Sequence, residues 1–184
     1  WDGSSWHAFG SGMNSWVCPI VVSGLDVYVG GKFTEAGGSP ASRIVRWDGS
    51  SWHALGSGVG GGTYTFVTAI AVSGSDLYVG GDFTEAGGSP ANHIARWDGS
   101  SWHPLGAGVN DWVEDIAVSG SDVYVGGLFT QAGGYPANYI ARWREQVGID
   151  ATPEVIAGTL HASPNPTASG VELSFRSIGL SPLT

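Results

Sequence analysis

VSGSDLYVGGDFTEAGG, residues 72–88, sets a strand-forming run, Leu77-Tyr78-Val79, against two adjacent glycines, Gly80 and Gly81. Nearly the same words occur at 22–38 (VSGLDVYVGGKFTEAGG) and at 118–134 (VSGSDVYVGGLFTQAGG). The flanks recur as well. WDGSSWHAFG at Trp1 returns as WDGSSWHALG at Trp47 and WDGSSWHPLG at Trp97, and IVRW, IARW and IARW end at Trp47, Trp97 and Trp143, giving spacings of 46, 50 and 46 residues. Self-similarity at a period of 20–50 residues marks a repeat architecture, in which each unit is one supersecondary module covered by its neighbours.

Within one unit, TAIAVSG (68–74) and SDLYVGG (75–81) read as two short strands joined by a tight turn, with Gly74 supplying a positive φ. DFTEAGGSPAN (82–92) reads as a loop marked by Gly87, Gly88 and Pro90. A second hairpin then turns at Asp48-Gly49-Ser50-Ser51 in one copy and Asp98-Gly99-Ser100-Ser101 in the next. β-Branched and aromatic residues fall in runs of four to six, and no apolar pattern holds at helical spacing, so each unit is expected to be all-β with four antiparallel strands. The Gly-Gly pair, recurring as Gly30-Gly31, Gly80-Gly81 and Gly126-Gly127, is expected to let the backbone bend or approach another segment closely.

Four strands and this period predict β-propeller blades. The order AIAVSGSDLYVGG, then HIARWDGSSWHAL, resembles a kelch blade over residues 1–143, with repeats starting at 1, 47 and 97. That resemblance implies that the AIAVSG strand is innermost and the SWHAL strand outermost, with Trp6, Trp52 and Trp102 packed between blades near the rim. It also implies that SSWHAF at the start is an outer strand separated from its partners. About three blades are expected, a fragment of a larger ring or half of a ring completed by a homo-oligomer.

The period fails after Trp143. Residues 144–157 read as a linker. Residues 158–184, with Ser163-Pro164-Asn165-Pro166 followed by VELSF, resemble the opening of the immunoglobulin-like C-terminal sorting domain of bacterial type IX secretion, which implies a truncated β-sandwich tail that contacts the secretion machinery.

Sixteen Asp and Glu against seven Lys and Arg give a net charge of −9, which argues against nucleic acid as a partner. No apolar run approaches the ~18 residues of a membrane span. One cysteine, Cys18, leaves no internal disulfide to form. No Gly-x-Ser-x-Gly, Walker loop, His-Glu-x-x-His or Cys-x-x-Cys occurs, so neither catalysis nor a metal or other cofactor is expected. His7, His53 and His103 are equivalent repeat positions and read as turn or packing residues, as do Asp2, Asp48 and Asp98.

What recurs serves the blade, and what varies is free for recognition. Lys32, Asp82 and Leu128 occupy one variable position; Arg43, His93 and Tyr139 occupy another. Trp16, Phe66 and Trp112, beside the expected innermost strand, either fill blade contacts or offer aromatic faces to a sugar or peptide. The sequence therefore points to a non-catalytic, extracellular or surface-attached propeller that binds a protein or carbohydrate. A kelch-like copper oxidase scaffold and a structural spacer of an adhesin or filament are the alternatives.

Overall fold

The computed structural model describes residues 3–62 and 64–144. Arg144, read as the first linker residue, ends the last described strand; the rest of the linker, the sorting-like tail and Asp2 lie outside the described residues. Among the described residues there is no helix, and the strands form small antiparallel sheets.

The first blade has the strand order Val17–Ser23, Asp26–Gly31, Ile44–Trp47, Trp52–Ala54. The second repeats it as Phe66–Ser73, Asp76–Asp82, Ile94–Trp97, Trp102–Pro104. The third contributes Val113–Ser119, Asp122–Gly127 and Ile140–Arg144. The first strand of the second blade lies between those of the first and third. These are the stacked blades of a β-propeller. Residues 4–9, expected as an outer strand, form none; a strand gains its stability from the ladder it joins, and no sheet among the described residues pairs with this segment.

Ser73 pairs with Asp76 across a two-residue turn in which Gly74 has φ 60°. Across the second and third strands, Arg46 meets Asp26 at 3.2 Å and Arg96 meets Asp76 at 3.0 Å, and Asp122 takes Arg144 at 2.6 Å. Each pair clamps the hairpin tip to the third strand.

FTEAGGSPA is not the loop expected from its glycines. It folds into a minute hairpin, Glu35–Ala36 with Ser39–Pro40, Glu85–Ala86 with Ser89–Pro90 and Gln131–Ala132 with Tyr135–Pro136. The reason is the phenylalanine at its start. Phe33, Phe83 and Phe129 are fully buried, and the hairpin folds back so that Ala36 and Ala41, Ala86 and Ala91, and Ala132 and Ala137 cover them. Burying a phenylalanine is worth about 1.5–3 kcal/mol, enough to order so short a segment.

Each inner strand carries a bulge near its start, between Val17 and Ile20, Val67 and Ala69, and Val113 and Asp115. The bulged residue turns toward the next blade: the Thr68 hydroxyl donates to the Val113 carbonyl, and the Cys18 thiol approaches the Thr68 carbonyl at 3.9 Å. At the rim, Trp102 Nε1 donates to Leu55 O at 2.8 Å and Trp52 Nε1 to Phe9 O at 3.3 Å, so these two outer-strand indoles tie one unit to the preceding one. Trp6 is largely exposed.

The blade interfaces are apolar and continuous. Ile44 of the first blade packs with Val67 and Val79 of the second, and Ile94 of the second with Val113 and Val123 of the third. Among the described residues the two outward faces lack this cover: Ile20 is 63% exposed and Ile140 is 67% exposed, whereas Ile94, equivalent to Ile140, is 2% exposed.

Candidate functional site

The start of each inner strand, the end of the second strand and the start of the third meet at one end of the blade, because Val17 pairs with Gly31 and Gly30 with Ile44. The three variable positions of the repeat sit at these three strand ends. Antiparallel pairing therefore gathers Trp16, Lys32 and Arg43, then Phe66, Asp82 and His93, then Trp112, Leu128 and Tyr139, on a single face of the propeller.

The aromatic residues form one row across all three blades. Trp16 and Phe66 have ring centroids 5.7 Å apart, Phe66 and Trp112 5.1 Å, and Tyr64 closes on Trp112 at 6.3 Å. Phe66 is the floor, only 9% exposed, while Trp16 is 48% and Tyr64 58% exposed. The middle ring packs between blades and the rings at the ends of the row face solvent. Tyr64 was missed because it lies in an insertion, GTYT, that the other copies lack.

Backbone geometry holds the row. Lys32 N donates to Trp16 O at 3.1 Å and Leu128 N to Trp112 O at 2.9 Å. The second glycine of each pair lies against the same carbonyl: a Cβ on Gly31, Gly81 or Gly127 would strike the main chain of Trp16, Phe66 or Trp112.

Arg43, His93 and Tyr139 all take the left-handed conformation, with φ 65°, 63° and 68°. Non-glycine residues adopt it rarely, and bulky ones at a cost of about 1–2 kcal/mol. Here it is fixed by paired main-chain bonds: Arg43 N donates to Phe33 O at 3.1 Å, and Gly31 N donates to Arg43 O at 3.0 Å, with the same pattern at His93 and Tyr139. Three different side chains are thus re-aimed in one way, in a conformation that glycine would adopt more easily.

The second blade closes part of the face on itself. Asp82 is buried, accepts a hydrogen bond from Tyr64 N at 3.3 Å, and lies 3.9 Å from His93 Nδ1, which also sits 3.2 Å from Gly81 O. A cleft of about 340 Å³ runs on from His93 between Asn92, Asn110 and Gln131. The first blade differs: Arg43 Nε is buried with no hydrogen-bond partner among the described residues, and Lys32 Nζ lies 5.9 Å from the Tyr64 ring centre.

The repeated histidines are elsewhere. His53 Nε2 meets Asp48 Oδ2 at 2.6 Å and His103 Nε2 meets Asp98 Oδ2 at 2.7 Å, at the outer-strand turns. Asp48 Oδ1 also accepts from Ser50 N, Ser51 N and Ser50 Oγ, each at 2.8 Å. These backbone donors, with His53, hold the Asp48 carboxyl far below the usual carboxylate range; at Asp98 the His103 bond leads the same effect. Among the described residues no three His, Cys, Asp or Glu side chains converge as metal ligands.

A sequence-family model described as a domain of unknown function (DUF5122), beta-propeller, matches residues 76–97, the two central strands of the second blade. No curated protein matches the chain.

Proposed function

We propose that this chain is a non-catalytic, kelch-like binding propeller of a bacterial surface, which takes a protein or carbohydrate partner on the face carrying Trp16, Phe66 and Trp112. The supporting observation is the convergence of two variable repeat positions, Lys32/Asp82/Leu128 and Arg43/His93/Tyr139, on that face, beside a row of rings whose ends are exposed. Concave or grooved surfaces with exposed aromatic and few polar groups are where ligands dock. The SPNP segment supports export and surface attachment through the tail. A glycan array and a pull-down from surface extracts test the reading; Trp16-dependent capture on either supports it, and two blank results would count decisively against it. Bound copper with oxidase activity in the full-length product would replace it with the enzymatic alternative.

The outward blade faces favour a second reading, assembly of copies. Val67 and Val113 seat against Gly30 and Gly80 of the preceding blade, whereas Gly126 has open space before it and Val17, their equivalent, is 37% exposed. The first blade of one copy matches the third blade of another, a head-to-tail contact that generates rings or filaments. Light scattering across a concentration series checks it: a mass that stays monomeric at high concentration removes this reading, and Ile140→Lys should abolish any association.

A further inference from the structure

Resting on the binding reading above, we infer that the corner formed by Trp16, Lys32 and Arg43 takes a carboxylated sugar, as in a uronic-acid oligosaccharide. The chain carries sixteen acidic side chains, and its other strand arginines at the hairpin tips are paired with Asp26, Asp76 and Asp122. Lys32 and Arg43 have no carboxylate partner among the described residues. Their equivalents in the second blade, Asp82 and His93, approach to 3.9 Å, and in the first blade Arg43 bonds through its main chain to Gly31 and Phe33, the two neighbours of Lys32, so the two cationic residues occupy adjoining main-chain positions. Like charges set together repel unless an anion bridges them, and a guanidinium with a buried, unpaired Nε is a donor awaiting an acceptor.

The anion must also suit its surroundings. Lys32 N donates to Trp16 O at 3.1 Å, so the exposed indole and the ammonium spring from facing main-chain positions. A uronate pyranose offers both complements within one ring: a C–H face for the indole and a carboxylate for the cations. Tyr64, whose exposed ring has its centre 5.9 Å from Lys32 Nζ, is placed for a neighbouring sugar. The third blade is unsuited to the anion, since Leu128 and Tyr139 are uncharged and Asp111, Glu114 and Asp115 flank Trp112 in the sequence. Asp82 opposes an anion, but it is buried and already accepts the Tyr64 N–H. The carboxylate is thereby directed to the first blade.

The test is titration of the full chain with oligogalacturonate, oligomannuronate and hyaluronan oligosaccharide, each beside its methyl ester, and with poly-glutamate. Binding of at least one uronate is expected, weakened about 10–100-fold by esterification, by Lys32→Met and by Arg43→Asn, the last chosen because asparagine tolerates φ near 65°. Trp16→Ala should weaken acid and ester alike. The ester comparison needs no variant, so it stands even if one misfolds. Esters bound as tightly as acids, or poly-glutamate bound as tightly as uronates, would overturn the inference. If no uronate binds while a surface protein is captured through Trp16, the inference falls and the binding reading stands; if nothing binds at all, both fall.

Discussion

Gly80 lies against Val113 of the next blade so closely that a Cβ on it would stand 2.9 Å from Val113 Cβ and 3.0 Å from Ile116 Cδ1. Its repeat equivalent Gly126 would meet nothing nearer than Tyr139 O at 3.9 Å. The same residue type at the same repeat position therefore answers to different constraints. Gly80→Ala should cost about 1–3 kcal/mol by overpacking, and Gly126→Ala should change stability by less than about 0.5 kcal/mol. Thermal unfolding of the pair checks this; equal losses would mean that the blade interface is not where Gly80 acts.

The aromatic row separates stability from binding. Phe66→Ala should destabilise the fold by about 3–5 kcal/mol, because it empties a buried site between two blades. Trp16→Ala, at an exposed ring, should leave the unfolding midpoint within about 0.5 kcal/mol of the parent and remove ligand capture. Chemical denaturation beside the glycan array reads both; a large stability loss at Trp16 would assign that ring to packing alone.

Tyr139 offers the cleanest measure of the left-handed position, since its side chain is largely exposed and its φ is 68°. Tyr139→Gly should raise stability by up to about 1 kcal/mol, the relief of the conformation exceeding the entropy that glycine loses on folding. A lower denaturant midpoint in this variant would show that the ring, not the backbone, dominates there.

Asp48 and Asp98 make stability depend on acid. Their carboxyl groups ionise more readily in the fold than in the unfolded chain, through Ser50, Ser51 and His53 in one turn and His103, Ser100 and Ser101 in the other. A lowered folded pKa gives stability that is complete above the ordinary aspartate range and is lost as pH falls below it. The urea midpoint should hold at pH 5 and fall between about pH 4 and pH 2. In Asp48→Asn/Asp98→Asn the starting midpoint should be lower and that acid-induced fall shallower. An unchanged slope would shift the cause to other carboxylates, with Asp122, lowered chiefly by its bonds to Arg144, the next to replace.

The repeat, its strands and its turns were legible because they follow from local chemistry. Gly74 and the Asp48-Gly49 turn announce themselves by residue type, and Leu77-Tyr78-Val79 by strand propensity. The hairpin of FTEAGGSPA was not legible: its order comes from burying Phe33, Phe83 and Phe129, and glycine and proline in the sequence say only that the chain turns. The clamps between Asp26 and Arg46 and between Asp76 and Arg96 had a signal, the joint recurrence of both residues in every repeat. That recurrence does not show that the two residues are paired until the strands are placed side by side.

For the candidate site the division is sharper. The amino-acid sequence alone determined which positions vary, Lys32, Asp82 and Leu128 with Arg43, His93 and Tyr139, since comparison of repeats needs no coordinates. Only the tertiary structure decided that these positions and the Trp16–Phe66–Trp112 row share one face, that Phe66 is its floor, and that Lys32 and Arg43 have no carboxylate partner among the described residues. The physical reason is that local propensity acts within a few residues, whereas a face is built by antiparallel register and blade stacking, which join positions from ten to fifty residues apart.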